Sequence, residues 1–240
     1  MSALSQLARK LQFAESAIPA RWRLRVRYRI QSATGGLEPE MAVLDQLLVA
    51  GGVALDIGAN HGIYAYALAR IASTVHCFEP LPSCCANIEA AAIGNVQVHH
   101  CALSDRAGRM RLFVPLEGAR AVHTRASLEK PVGPCETIDV DVRTVDSFEL
   151  PRVDFIKMDV EGAEAAALRG AAGTIERHHP ALLVEIDRGR HTRDSFDALL
   201  GWLTARGYTP HVLTHGRVQR SAEPWADAAD HMNFLFPVPS

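Results

Sequence analysis

Asp56, Gly58, Asn60 and Gly62 fall in the run LDIGANHG, and Glu79 follows in CFEP, twenty-three residues after Asp56. An acid where an apolar run stops, then a turn of small residues, then a helix-like pattern, sets an anion opposite a helix N-terminus. The acid suits a ligand's ammonium group and the helix end suits its carboxylate. Both charges occur on one amino-acid moiety. Glu79, ending the next apolar run, can accept both hydroxyls of a ribose. Amino acid plus nucleoside describes S-adenosylmethionine. Either acid alone could be a turn cap or an exposed strand end; the two together, on successive runs, favour the ligand reading. A dinucleotide fingerprint would need glycine at 58, 60 and 63, but Asn60 and Ile63 stand at two of these positions. A nicotinamide oxidoreductase is therefore a weak alternative. A P-loop is excluded because no Gly-Lys-Ser/Thr comes after the loop.

These residues need elements that carry them to one edge of a sheet. Apolar runs at Val53–Ile57, Thr74–Phe78 and Val96–His100 read as strands, and Ile63–Ile71 and Ser83–Ala92 between them read as helices. That order predicts a parallel, doubly wound α/β sheet with right-handed crossovers, whose ligands bind beyond the strands' carboxyl ends. Met110–Val114 and Ile138–Val142 are extra strands around a polar loop, about Leu116 to Glu136, expected near the site. The alternation resumes with strand Val153–Met158, helices Ala163–Gly170 and Thr174–His178, strand Ala181–Ile186 and helix Arg193–Arg206. Thr209–Leu213 and Asn233–Phe236 are expected as antiparallel edge strands. Ahead of the sheet, Ser2–Leu11 and Glu40–Val49 have helical spacing, and RWRLRVRYRI between them places arginine at 21, 23, 25, 27 and 29 with a period of two. Residues 1–49 thus read as a helical, basic extension and 50–240 as the ligand-binding domain.

LDIGANHGIYAYALAR, CFEP, ALSD, VDFIKMDVEGAEAAALRGA and LLVEID occur in this order from about Ala50 to Ile186. In these runs the chain resembles the FkbM-type methyltransferases, S-adenosylmethionine-dependent enzymes of the class I methyltransferase fold; FIK-x-DVEG-x-E is the most specific stretch. The resemblance implies a Rossmann-like, mostly parallel seven-stranded sheet and O-methylation of a hydroxyl on a sugar, a glycan or lipid-linked sugar, or a natural product. It places Asp56, Gly58, Asn60 and Gly62 along the methionine moiety and Glu79 at the ribose. Many methyltransferases of this fold read the adenine amino group with an acid after the third strand. This chain has Cys101-Ala102 there, with Asp105 three residues later, so Ala102 and Asp105 are the adenine candidates.

Methyl transfer to a hydroxyl needs alignment of the reacting atoms and removal of the hydroxyl proton. Asp159 and Glu161 in MDVEG, and Glu185 in LLVEID, end strands that face the same crevice as Asp56. Several carboxylates in one cleft either raise the pKa of one of them, giving a base, or bind a divalent cation through Asp159, Glu161 and Glu185. The metal-free base is favoured, with His61 as the rival because imidazole titrates near neutrality. Glu164 is expected to serve the dipole of its helix. His99-His100, His178-His179 and Cys84-Cys85 read as structural.

At 240 residues the chain suits one α/β domain with a small appendage. A formal net charge of −2 gives no global attraction for nucleic acid, and no basic groove with interleaved aromatics comes after the motifs. Five cysteines without a C-x-x-C pair suit a reducing, cytoplasmic setting. No apolar segment is long enough to span a bilayer. Peripheral contact with an inner membrane surface, or with a lipid-linked acceptor, falls to Arg21–Arg29, helped by Trp22 and Tyr28. A non-catalytic S-adenosylmethionine-binding scaffold is the alternative of another class, and oligomeric state is left open.

Overall fold

The computed structural model describes residues 18–117, 120–130 and 132–239. The helix expected over Ser2–Leu11 lies outside the described residues. Strands β1 (Val53–Ile57), β2 (Thr74–Phe78), β3 (Val96–His99), β8 (Phe155–Met158) and β9 (Ala181–Glu185) run parallel. Apart from β3, which is partly exposed at one edge, their short apolar runs are covered on both faces, as central parallel strands require. Antiparallel to their neighbours are β10 (His211–Thr214), β11 (Arg217–Arg220) and β12 (Asn233–Phe236), and the sheet order is β11-β10-β12-β9-β8-β1-β2-β3. The order reverses between β1 and β8. That is the switch point at which ligands bind.

The doubly wound α/β, class I methyltransferase-like reading stands, with an eighth strand, β11, added to the seven expected. β12 is not an edge strand: it inserts between β9 and β10, because NFLF is buried along its whole length. The edge is β11, whose RVQR is mostly exposed and charged, a composition that discourages edge-to-edge pairing. His215 (φ 50°) and Gly216 (φ 73°) make the two-residue turn into it, a turn that needs positive φ at both positions.

Side-chain parity assigns the two faces. Leu55, Ile57, Ile156, Met158, Leu182 and Val184 point into one apolar cluster, against helices α5 (Glu164–Arg169), α6 (Ala172–His178) and α7 (Arg193–Thr204). Ala54, Phe155 and Leu183 point into the other, against α2 (Leu44–Leu47) and α3 (Ile63–Leu68). Asp56 and Lys157 lie on this second face by the same period of two.

The arginine run is not extended: it forms α1, Ala20–Thr34. Arginine and leucine are good helix formers, so the alternating pattern does not impose a strand. Gly35, at φ 70°, ends the helix with its N–H on the Gln31 carbonyl. Leu24 is buried and the Tyr28 ring packs at a tilt on Tyr66, centroids 4.9 Å apart, while Arg21, Trp22, Arg25 and Arg29 form the exposed face. The helix expected over Glu40–Val49 is a 3-10 turn, Pro39–Val43, running into α2.

Between β3 and β8 the chain builds a second sheet beside the first from β4 (Ala102–Leu103), β5 (Gly108–Glu117), β6 (Arg120–Ala121) and β7 (Cys135–Arg143), in the order β4-β7-β5-β6. Its main pair is β5 and β7. Leu112, Val114, Val140 and Val142 pack with Leu81 and Cys84 from α4 (Pro82–Ala90) and the turn before it. This insertion leans over the carboxyl edge of the main sheet. At its base, a Cβ on Gly170 would sit 2.0 Å from the Ser104 carbonyl oxygen, so the ALRGA turn has no room for a side chain there.

Candidate active site

β1 and β8 pair with Asp56 opposite Lys157. Asp56 is 0% exposed and Lys157 4%. Lysine is almost never buried unless paired. Its Nζ lies 3.2 Å from Asp159 Oδ2, 4.0 Å from Asp56 Oδ1, 3.5 Å from the Gly58 carbonyl oxygen and 5.0 Å from the Tyr64 ring centre. Burial works against the ammonium charge, but Asp159 and Asp56 outweigh it and hold the lysine protonated. Among the described residues, neither oxygen of Asp56 has a hydrogen-bond partner. Burial pushes its carboxyl up to about 6, with Lys157 pulling the other way. Asp56 therefore sits beneath the loop and lines neither cavity.

Above it the loop is set by backbone geometry. Gly58 has φ 75°, and a Cβ there would stand 1.8 Å from the Asp159 carbonyl oxygen. Only glycine allows that approach. Asn60, also at positive φ, donates its N–H to Glu79 Oε2 at 2.7 Å, and Leu81 N–H donates to Glu79 Oε1 at 2.8 Å. Glu79 is 5% exposed, and burial raises its pKa although both N–H groups favour the charged form. Each carboxylate oxygen keeps a further lone pair for a hydroxyl.

Two adjoining cavities open at this edge. The first is walled by Glu79, by Ala102 and Leu103, and by Thr124, Ala126, Ser127 and Leu128 of the insertion. The second is walled by Arg27, Gln31 and Glu38 on one side and by His61, Tyr64 and Lys157 on the other. Gly58, Asn60, Thr124 and Asp159 face both. The long polar loop is thus brought to the site.

Set on this fold, the sequence matches the family model described as "Methyltransferase FkbM domain" over residues 56–210. The chain belongs to that family. The matched domain is a methyl-transferring one. The chain is similar to "Methyltransferase 1" of Beauveria bassiana (strain ARSEF 2860), at 28% identity over 141 residues, 48% of this chain and 57% of that protein. It is also similar to "2-O-methyltransferase NoeI" of Sinorhizobium fredii (strain NBRC 101917 / NGR234), at 28% over 171 residues, 62% of this chain and 69% of that protein. Among solved structures, the methyltransferase FkbM from Methylobacillus flagellatus KT superposes with a TM-score of 0.53 at 19% identity, over 91% of this chain and 58% of that one. At that identity the likeness is one of fold. The chain spans little more than half the length of the Beauveria protein and of the Methylobacillus structure.

In this FkbM domain the acids gather around Lys157 without forming a cation cage: among the described residues no three His, Cys, Asp or Glu side chains group as metal ligands, Asp159, Glu161 and Glu185 included. Glu161, at φ 57°, is ion-paired with Arg190, and its carbonyl accepts from Ser127 Oγ at 2.7 Å and Arg190 Nη1 at 3.1 Å. Burial, with Asp159 adding repulsion, pushes its carboxyl up to about 7. Glu185 is raised too, by burial and then by Asp159, against the pull of Lys157. His61 lines the second cavity, with Nδ1 3.4 Å from Asn87 Nδ2. Asp105 reaches neither cavity; it turns to Arg169 at 3.7 Å, while Ala102 does line the first. Glu164 does more than serve a dipole, accepting from Gly162 N–H at 2.9 Å and meeting His191 Nε2 at 3.2 Å.

The residues not singled out from sequence are Lys157, Arg190, Glu38 and Tyr64. Lys157 carried a signal, a charge inside the buried run FIKM. Glu38 carried none: its carboxylate accepts from Tyr64 Oη at 2.7 Å and Asn233 Nδ2 at 3.0 Å, contacts that only the fold creates.

Proposed function

We propose that this FkbM domain transfers a methyl group from S-adenosylmethionine to a hydroxyl of a sugar-like acceptor. The observation that carries the reading is the wall shared by the two cavities, where Gly58, Asn60 and Asp159 stand between Glu79 and the second chamber. The cradle fits the cofactor: the space a Cβ would fill at Gly58 is closed by Asp159, and the anchored Glu79 keeps acceptor capacity for two ribose hydroxyls. Ala102, Leu103 and Leu128 offer the apolar wall for the base. When bound, S-adenosylmethionine supplies an electrophilic methyl on a positive sulfur.

The chain's own part is alignment and proton removal. Asp56 and Lys157 hold the Gly58 carbonyl and Asp159 in register beneath the loop, and Asp159 faces both chambers. The base is drawn from Asp159, Glu161 and Glu185, with His61 as the rival. Burial and repulsion keep Glu161 and Glu185 above the ordinary carboxylate range, where an acid that accepts a proton works best at neutral pH. With the methyl supplied by bound S-adenosylmethionine, that carboxylate would take the acceptor's hydroxyl proton. The relative named as a 2-O-methyltransferase supports oxygen as the acceptor atom. The outer face of α1, with Arg21, Arg25 and Arg29 beside Trp22, is proposed to meet the phosphates of a lipid-linked acceptor or of its membrane.

The test is incubation with S-adenosylmethionine and a panel of nucleotide-sugars, lipid-linked sugars and glycans, read as a methyl mass gain on the acceptor. Gain that is lost in Glu79→Gln supports the proposal. Stabilisation by NAD in place of S-adenosylhomocysteine would overturn it.

A further inference from the structure

If Glu79 meets the ribose, as in the proposed function on which this inference rests, the adenosine half of the cofactor takes the first cavity. The amino-acid half must then continue across the wall of Gly58 and Asn60 that the two cavities share. Asp56 is 0% exposed under the loop and lines neither cavity. Beyond the wall, the second cavity presents Asp159 and Lys157 from β8 on one side and Arg27 and Gln31 from α1 on the other. Lys157 lies 4% exposed between Asp56 and Asp159, on the floor of the site. Arg27 is only partly buried and stands on the outer wall.

We propose that Arg27 binds the α-carboxylate of the cofactor's methionine moiety, with Gln31 as its neighbour and Asp159 facing the ammonium. A guanidinium matches a carboxylate with two parallel N–H donors, and a partly buried site strengthens the pair. Gln31 is four residues on, on the same side of the helix. The helix is held against the cofactor loop and the helix after it: Leu24 Cδ2 lies 3.2 Å from where a Cβ on Gly62 would be, and the Tyr28 ring packs at a tilt on Tyr66. Arg27 is therefore positioned relative to Asn60 and His61 by packing. The helical turn separates it from Arg21, Arg25 and Arg29, which are exposed on the other face. On this view the basic extension completes the cofactor site.

Two ligands that differ at this end give the test. S-adenosylhomocysteine carries the α-carboxylate and ammonium; 5′-methylthioadenosine keeps the adenosine and the sulfur but lacks both. By titration calorimetry on the full chain, Arg27→Gln is expected to weaken S-adenosylhomocysteine about ten- to a hundredfold, the range of a charged hydrogen bond. 5′-Methylthioadenosine should bind as before, and Arg27→Lys should keep part of the difference. An unchanged ratio of the two affinities in folded Arg27→Gln overturns the inference, whether or not the acceptor's KM rises. Equal loss of both ligands overturns it too, since Arg27 would then only support the loop. If the unaltered protein binds neither ligand, the cofactor reading falls together with this one.

Discussion

At the scale of single residues, the site depends on contacts that admit no substitute. Gly58→Ala places a methyl 1.8 Å from the Asp159 carbonyl oxygen at φ 75°. The left-handed backbone alone costs about 1–2 kcal/mol, and the clash adds to it by pushing β1 from β8. The expected result is a folded but less stable protein in which S-adenosylhomocysteine no longer raises the melting temperature; unchanged ligand stabilisation would show that the two turns need not touch. Asp56 makes the opposite case, a buried acid that weakens the fold. Its carboxyl titrates near 6 when folded against an ordinary value of 3.8, so the native state holds the proton more tightly than the unfolded chain. Its contribution to stability is thus greatest below about pH 4 and is lost as pH rises to about 6, by about 3 kcal/mol. Asp56→Asn should remove that slope, read as the difference between the two proteins in urea melts across pH 4–7. Parallel curves would mean that Asp56 stays charged through Lys157. The motif LDIG announced an acid at this position. That it lies beside Lys157 comes from the register of β1 on β8, which no local pattern contains.

At the scale of elements, legibility tracked burial. β1, β2 and β12 could be read to the residue because each is a short apolar run bounded by turn residues. The strand β11 was missed because RVQR has no apolar face, although the His-Gly turn before it is a hairpin signal. In α1 only Leu24 is fully buried, so the core constrains the pattern at one position and the period of two in the arginines does not mark a strand. The helical placement makes a specific expectation. Neutralising Arg21, Arg25 and Arg29 together should leave S-adenosylhomocysteine affinity unchanged, because these side chains lie on the exposed face. The same variant should lose its sedimentation with vesicles containing phosphatidylglycerol, a loss that salt imitates in the unaltered protein because ions screen exposed charge. Binding to zwitterionic phosphatidylcholine vesicles at the same level would assign that face no role with net anionic headgroups.

At the scale of the whole molecule, five separated stretches of chain line one crevice: the N-terminal segment through Glu38, the loop after β1, the turn after β2, the insertion and the end of β8. The sequence showed the acids of three of these because each comes at the end of an apolar strand. Glu38 was hidden because its segment meets β12 only in the folded protein, through Asn233. The crowding has a kinetic consequence. Burial and the charge of Asp159 raise Glu161 to about 7 and raise Glu185 as well, so at pH 6 the base is mostly protonated and cannot accept the acceptor's proton. Turnover should therefore climb with pH through about 7 and level off above it. Substitution of the responsible acid by glutamine should lower kcat about a hundredfold or more while leaving cofactor affinity nearly intact. Because Glu161 is tied to Arg190, Arg190→Met should shift the climb to higher pH if Glu161 is the base and leave it in place if Glu185 is. A rate that is flat from pH 6 to 9 in the unaltered protein would remove both acids from the chemistry. A rate abolished by chelator and restored by Mg²⁺ would instead hand the activation of the hydroxyl to a cation.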